Sequence, residues 1–239
     1  MLLLGALLMA SPPVADAERS FAAAAARDGQ WTAFRTYAAP DAILFEPDQM
    51  PALRALGGRA DPRASIAWHP THTITSCDGS LAYSAGAWTG SSGRGGGSFG
   101  TIWRHDPGGW AWIYDGGHDG TPDPSTTLIA EDASCDGAPA ATAAARTPDD
   151  DAGPTPIALE TLKSSAAPGM IEAADGATPA SLRVGAILAA GGSTDRSLLW
   201  RINALPGGDK GAHLLRLWSW DGRHYQLAVL DLTGAAPSK

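Results

Sequence analysis

Two cysteines, a pair of histidines and an acid-to-histidine run are the residues of this 239-residue chain whose types and spacing bear on chemistry. Cys77 and Cys135 each sit in a Ser-Cys-Asp-Gly tetrapeptide, residues 76–79 and 134–137. Two cysteines allow one intramolecular bridge, which in an oxidising compartment ties the end of one strand to the segment leaving the sheet. Two free thiols are the alternative, and without a CxxC pair nothing points to a redox role. His69 and His72 have a metal-ligand spacing, but residues three apart on a strand face opposite ways and Pro70 interrupts the strand. They read as surface histidines, and no metal site is predicted. Asp115-Gly116-Gly117-His118-Asp119 closes a strand with a carboxylate and an imidazole three residues apart, either an acid/base pair or a capped loop. The glycine-rich residues 90–97 lack the lysine and following helix of a phosphate cradle. No GxSxG elbow is present and Ser91-Ser92 has no nearby base, so neither a hydrolase triad nor a cofactor is predicted. Nine tryptophans serve mostly as core, yet leave room for one or two to line a pocket for a small apolar or flat ligand. Trp68, Tyr83, Trp103 and Trp112 are the candidate ligand-binding residues.

The elements that position these groups follow from periodicity and punctuation. Residues 18–28 are alanine-rich and predict a helix stopped by Gly29, and residues 30–37 predict a second, with Trp31, Phe34 and Tyr37 in one stripe. Residues 41–46 predict a short strand ending at Pro47, and residues 50–56 a small helix with Pro51 in its first turn. Extended patterns follow at 65–76, 81–88, 98–104 and 110–115, separated by the Cys77-Asp78-Gly79 turn, the glycine-rich loop and Asp106-Pro107-Gly108-Gly109. Strict alternation puts Trp110, Trp112 and Tyr114 on one face of the last strand and Ala111, Ile113 and Asp115 on the other. Both faces of this meander are apolar, so one side is expected to wrap the helices and the other to need a cover. Gly86 and Gly100, mid-strand, read as sites of bending or close backbone approach. Residues 119–180 shift to Ala, Pro, Thr and Asp and read as linker or crossing segment. Three further strands are predicted at 197–205, 212–218 and 224–232, a second meander too small to stand alone and the best candidate for the cover. Helices first and antiparallel strands after give an α+β fold, a curved antiparallel sheet wrapped around about three amino-terminal helices, with a carboxyl-terminal antiparallel β meander.

Composition sets the compartment and the excluded partners. An apolar share of 44% with 18% charged residues is that of a globular chain, and a formal net charge of -8 without a basic cluster argues against nucleic acid and anionic lipid. Residues 2–10 are apolar, and Ala15-Asp16-Ala17 offers small residues where a signal peptidase reads, so residues 1–17 are predicted to be a signal peptide cut after Ala17. The run is too short to span a membrane, and the mature chain is expected in the periplasm or outside the cell. The expected domains are then 18–118, 119–180 and 181–239.

Residues 18–114 resemble the nuclear-transport-factor-2-like superfamily, which includes the SnoaL-like polyketide cyclases and the ketosteroid isomerases. The resemblance rests on the alanine-rich first helix with Asp28-Gly29, on Ala39-Pro40-Asp41-Ala42 leading to Phe45-Glu46-Pro47, and on Ile102-Trp103-Arg104, Gly108-Gly109-Trp110 and Ile113. It covers under half of the chain. It implies a cone of curved sheet around three helices, often dimerising through the sheet's outer face. It also puts Glu46 where the isomerases hold their base, and makes Asp115 with His118 a pair at the pocket rim. The isomerase donors do not follow: the first-helix tyrosine falls near Phe21, and the acid of the penultimate strand near Gly100 or Thr101. Losing such donors costs about 10²-fold or more each. The expected function is therefore an exported, noncatalytic small-ligand-binding or interaction module. The alternatives are an isomerase-, cyclase- or dehydratase-type enzyme using Glu46 or Asp115, and a homodimeric scaffold.

Overall fold

Alanine propensity starts the fold. In the computed structural model, which describes residues 13–137, 156–175, 178 and 180–234, helix α1 spans Val14–Asp28 and helix α2 Gln30–Tyr37. Residues 1–12 and the Ala/Pro/Asp-rich residues 138–155 lie outside the described part. Gly29 divides the helices at φ 111°, and a Cβ there would fall 2.4 Å from the Asp61 carboxyl carbon, so both conformation and space require glycine. α1 runs through the expected cleavage point after Ala17, and Val14 and Ala15 are buried. Its buried stripe is Val14, Glu18, Phe21 and Ala25, at helical spacing, with one carboxylate among the apolar residues.

Strand β1 (Ala38–Phe45) leads through β2 (Gln49–Pro51) into the single turn α3 (Ala52–Ala55). Then come β3 (Ala67–Thr75), β4 (Leu81–Thr89), β5 (Gly96–Asp106), β6 (Gly109–Asp119) and β7 (Ile129–Asp132). These form one seven-stranded sheet in the order β2-β1-β6-β5-β4-β3-β7. The predicted antiparallel meander is β3 to β6, but the sheet is mixed: β1 pairs parallel to β6 and β7 parallel to β3. Both parallel strands arrive by long connections, which the pattern within a strand does not record. β7 lies in the stretch expected to be linker or crossing segment.

A bulge in β6 changes which side chains share a face. Ile102 pairs with Tyr114 while the next residue, Trp103, pairs with Trp112, so Ile113 is an extra residue. Strict alternation is corrected accordingly. Trp112 and Asp115 share the face toward the helices with Thr101 and Trp103, and Tyr114 and His118 are on the opposite face. The helix-facing layer packs around Phe21, whose ring centroid lies 4.8 Å from Phe34, 4.9 Å from Trp68 and 5.9 Å from Trp103.

The remaining strands are β8 (Pro156–Ala158), β9 (Ala166–Ala174), β10 (Ser181–Arg183), β11 (Ile187–Gly192), β12 (Leu198–Ala204), β13 (His213–Trp220) and β14 (Tyr225–Thr233), with the turn α4 (Leu159–Leu162) after β8. The last three strands are the predicted second meander, and they sit in a five-stranded sheet ordered β11-β12-β13-β14-β9, with β9 parallel to β14. One apolar core runs from Phe21 and Trp103 through Tyr83, Ile102 and Tyr114 to Leu198, Ile202, Leu215 and Val229. The second sheet thus covers the outer face of the first within one chain, the face through which the resemblance implies dimerisation. Gly100 fits this contact: a Cβ there would fall 2.2 Å from the Tyr83 hydroxyl. Leu159 and Leu162 of α4 close the far side of the second sheet with Leu214, Trp218, Leu230 and Leu232. The architecture is α+β.

Cys77 and Cys135 form a disulfide across 58 residues. The bridge stands at a corner where the sheets are also joined by hydrogen bonds, from the Cys77 amide to Ser197 Oγ (2.8 Å) and from Trp220 Nε1 to the Asp136 carbonyl (2.8 Å).

Candidate functional site

Ser84, Thr101 and Asp115 stand directly opposite one another on β4, β5 and β6, a polar row across an otherwise aromatic face. α1 lays Glu18 over this row. Trp68 Nε1 donates to Glu18 Oε1 at 2.7 Å, and Trp103 Nε1 and Ser84 Oγ both donate to Oε2, the indole at 2.9 Å. Glu18 is fully buried, and burial raises its pKa against the opposing pull of these three donors. Asp115 accepts one hydrogen bond, from Thr101 Oγ1 to Oδ2 at 2.8 Å. Burial, and then the charge of Glu18, push its pKa up to about 7. Among the described residues neither carboxylate has an ion-pair partner, and Asp115 Oδ1 has no hydrogen-bond donor.

Beside this pair lies a cavity of about 200 Å³. Its walls are Phe21 on α1, Phe34 on α2, Ile66 and Trp68 at β3, Trp88 on β4 and Phe99 on β5, with Asp115, Gly116, Gly117 and Asp119 of β6 along one side. Half of these ten residues are aromatic and none is basic, so the site suits a small, largely apolar ligand with one group that can meet a carboxyl. Both indole N–H groups on the wall are already engaged, Trp68 with Glu18 and Trp88 with the His118 carbonyl at 3.2 Å. A wider cleft of about 500 Å³ lies beside Val14, Thr75, His105 and Trp110, but its carboxylates, Asp78 and Asp132, are exposed.

The expected site residues separate. Trp68 lines the cavity. Trp103 and Trp112 are fully buried on the same face, the first bound to Glu18 and the second donating to the Phe34 carbonyl at 3.1 Å, so they support the site from beneath. Tyr83 is on the other face, between the sheets. Glu46 lies outside the cavity in a half-exposed ion pair with Arg59 at 2.7 Å, and Arg59 rests on Trp31. Phe21 and Thr101, named only for the donors they lack, both belong to the site. His69 binds the Ser125 carbonyl at 2.9 Å and His72 meets the Thr71 hydroxyl.

Asp115 and His118 do not form a pair, because three steps along a strand reverse the face. His118 instead donates from Nε2 to Asp231 and from Nδ1 to Asp175, both at 2.7 Å, joining β6 to the second sheet. Burial pulls its pKa down, but the hydrogen bonds and charges of Asp231 and Asp175 outweigh it and raise the value to about 9. Nearby, His213 gives Nδ1–H to the Gly211 carbonyl, so Nε2 accepts from the Tyr114 hydroxyl at 3.2 Å. These groups bind the sheets together.

Sequence reasoning missed Glu18, taken as the first mature residue. The signal was present, since Val14, Glu18, Phe21 and Ala25 fall on one helical stripe. No family model, curated protein or solved structure matches this chain.

Proposed function

We propose that this chain is an exported, noncatalytic binding protein for a small ligand, and that the ligand occupies the aromatic cavity beneath α1 and α2. The observation that carries this reading is the cavity itself, a space walled by five aromatic side chains with the partly buried carboxylate of Asp115 on its edge. A space of this size is below the ~300–1,000 Å³ of pockets for drug-sized ligands, so the ligand has few heavy atoms. Helices packed on one face of the seven-stranded sheet support a cone-type architecture of the kind the sequence resembles. Export is supported by the disulfide and by the apolar residues 2–10. Processing ahead of Val14 would preserve the buried first turn of α1, and mass analysis of the mature amino terminus checks this.

A second reading has one observation in its favour. A carboxyl raised to about 7 in an apolar cavity has the pKa of a general base. The engaged indoles leave no side-chain donor among the described residues of the wall for an oxyanion, which is why binding is the reading put first.

The test is tryptophan fluorescence with a panel of small apolar and aromatic compounds, comparing wild type with Gly117→Leu. Gly117 stands opposite Phe99 and lines the cavity, so the leucine side chain would enter it. Saturable shifts in wild type, absent from a Gly117→Leu protein with native circular dichroism, are expected. Shifts of equal size in both proteins would place the ligand elsewhere.

A further inference from the structure

We propose that the ligand of this cavity is a small organic monocation, an alkylated or quaternary ammonium, held by Asp115 as counter-ion and by the aromatic walls. The inference rests on the cavity being the ligand site and adds the ligand's charge.

Three features of the site converge on a cation. First, two carboxyls, Glu18 buried and Asp115 partly buried, stand without a cation among the described residues. The ion pairs of the described residues engage Asp16, Asp28, Asp41, Asp48, Asp106, Asp175, Asp221, Asp231, Glu46 and Glu172, and none engages Glu18 or Asp115. A carboxylate drawn out of water without a positive partner is costly, and here the cost appears as the raised pKa of both groups; a cationic ligand would offset it. Second, the two carboxyls are unequally served. Glu18 takes three donors, whereas Asp115 takes only the Thr101 hydroxyl and keeps Oδ1 without a donor. A neutral apolar occupant would displace water from that oxygen and replace it with nothing. Third, the walls are Phe21, Phe34, Trp68, Trp88 and Phe99, and aromatic rings attract a desolvated cation. An ammonium whose hydrogens are replaced by methyls combines charge with apolar surface and needs no donor or acceptor beyond the one carboxylate. Anions are disfavoured by the same groups, and Asp119 at the side of the cavity adds to the negative field.

The titratable and charged groups about Asp115 are Glu18 on α1, Asp119 on β6 and, through the sheet, the hydroxyls of Tyr83 and Tyr114, which burial keeps protonated. α2 contributes Phe34 and no ionisable group to the lining. Cation binding requires the Asp115 carboxylate, so affinity is expected to fall as pH drops through about 7.

The experiment is calorimetric titration of the full chain at pH 8 with choline and with 3,3-dimethylbutan-1-ol, the same shape with carbon in place of the charged nitrogen. Aromatic ring faces attract a desolvated cation and not its neutral isostere, so choline is expected to bind wild type at least about tenfold more tightly than the alcohol. In Asp115→Asn, which keeps shape and the Thr101 partner, the preference should shrink to within about threefold, and at pH 6 wild type should lose part of it. Gly117→Leu should bind neither. Equal affinity for the two compounds, with both abolished by Gly117→Leu, would overturn the cation and leave the cavity as the ligand site. Choline binding that survives Gly117→Leu, or no choline binding where neutral compounds of the panel bind, would also overturn the proposal. Failure of choline, the alcohol and the whole panel would take the cavity reading down with it.

Discussion

Glu18 shows how one carboxylate can be both structural support and part of a site. Its two oxygens hold the indoles of Trp68 and Trp103 and the hydroxyl of Ser84, fixing the aromatic wall to α1. Glu18→Ala leaves the Trp68 indole and the Ser84 hydroxyl without their acceptor at about 1–3 kcal/mol each, while Trp103 Nε1 keeps Ser84 Oγ at 3.0 Å, so a loss of at least about 2 kcal/mol is expected in denaturant unfolding, with Glu18→Gln less damaging. Asp115 acts in the opposite sense. Its folded pKa of about 7 exceeds the ordinary 3.8, so the folded chain binds the extra proton between these values and stability falls as pH rises through that window. Thermal unfolding should therefore find Asp115→Asn more stable than wild type at pH 8 and little different at pH 4. An equal shift at both pH values would mean that Asp115 titrates normally.

At the scale of elements, the strands of both meanders were legible because Gly, Pro and Asp punctuate them at 106–109, 206–208 and 221–222. The two helices were legible from alanine content and an aromatic stripe. The bulge at Ile113 was not, since it depends on pairing with β5 and leaves no mark in the alternation of β6. That one residue decides the site: it brings Asp115 to the helix side and sends Tyr114 and His118 to the other. β7 and β9 escaped notice because Ile129–Asp132 is exposed throughout and Ala166–Ala174 lies at a sheet edge, so neither carries an apolar period. Of the residues at the cavity, Trp68 and Asp115 were singled out by their sequence setting, whereas Glu18 was hidden by the expected cleavage site and Glu46, which lies elsewhere, was carried only by the resemblance. His118 acts as an element clamp. Its raised pKa contributes stability that is fully present below about 6.5 and is lost as pH rises through about 9. His118→Ala leaves Asp231 buried without that partner, at about 3–5 kcal/mol, and should flatten the alkaline fall in stability measured by urea unfolding.

Among the described residues the two large sheets stand back to back, with α1 and α2 on the free face of the first, α4 behind the second, and β8 and β10 paired in a small two-stranded sheet. The second sheet supplies the cover that the apolar outer face of the first requires. The disulfide pins one corner of this sandwich, and a closed loop of this length contributes about 4 kcal/mol in the chain-entropy model. Reduction, or Cys77→Ser with Cys135→Ser, is expected to lower unfolding free energy by that order while leaving the cavity able to bind. The most direct test of the central claim is the nuclear magnetic resonance spectrum of the nine indole N–H groups during titration with a ligand from the fluorescence panel. The resonances of Trp68 and Trp88 are expected to move, those of Trp200, Trp218 and Trp220 to stay, and Gly117→Leu to show no movement. Movement centred on Trp200, Trp218 or Trp220, or an unchanged response in Gly117→Leu, would contradict the claim.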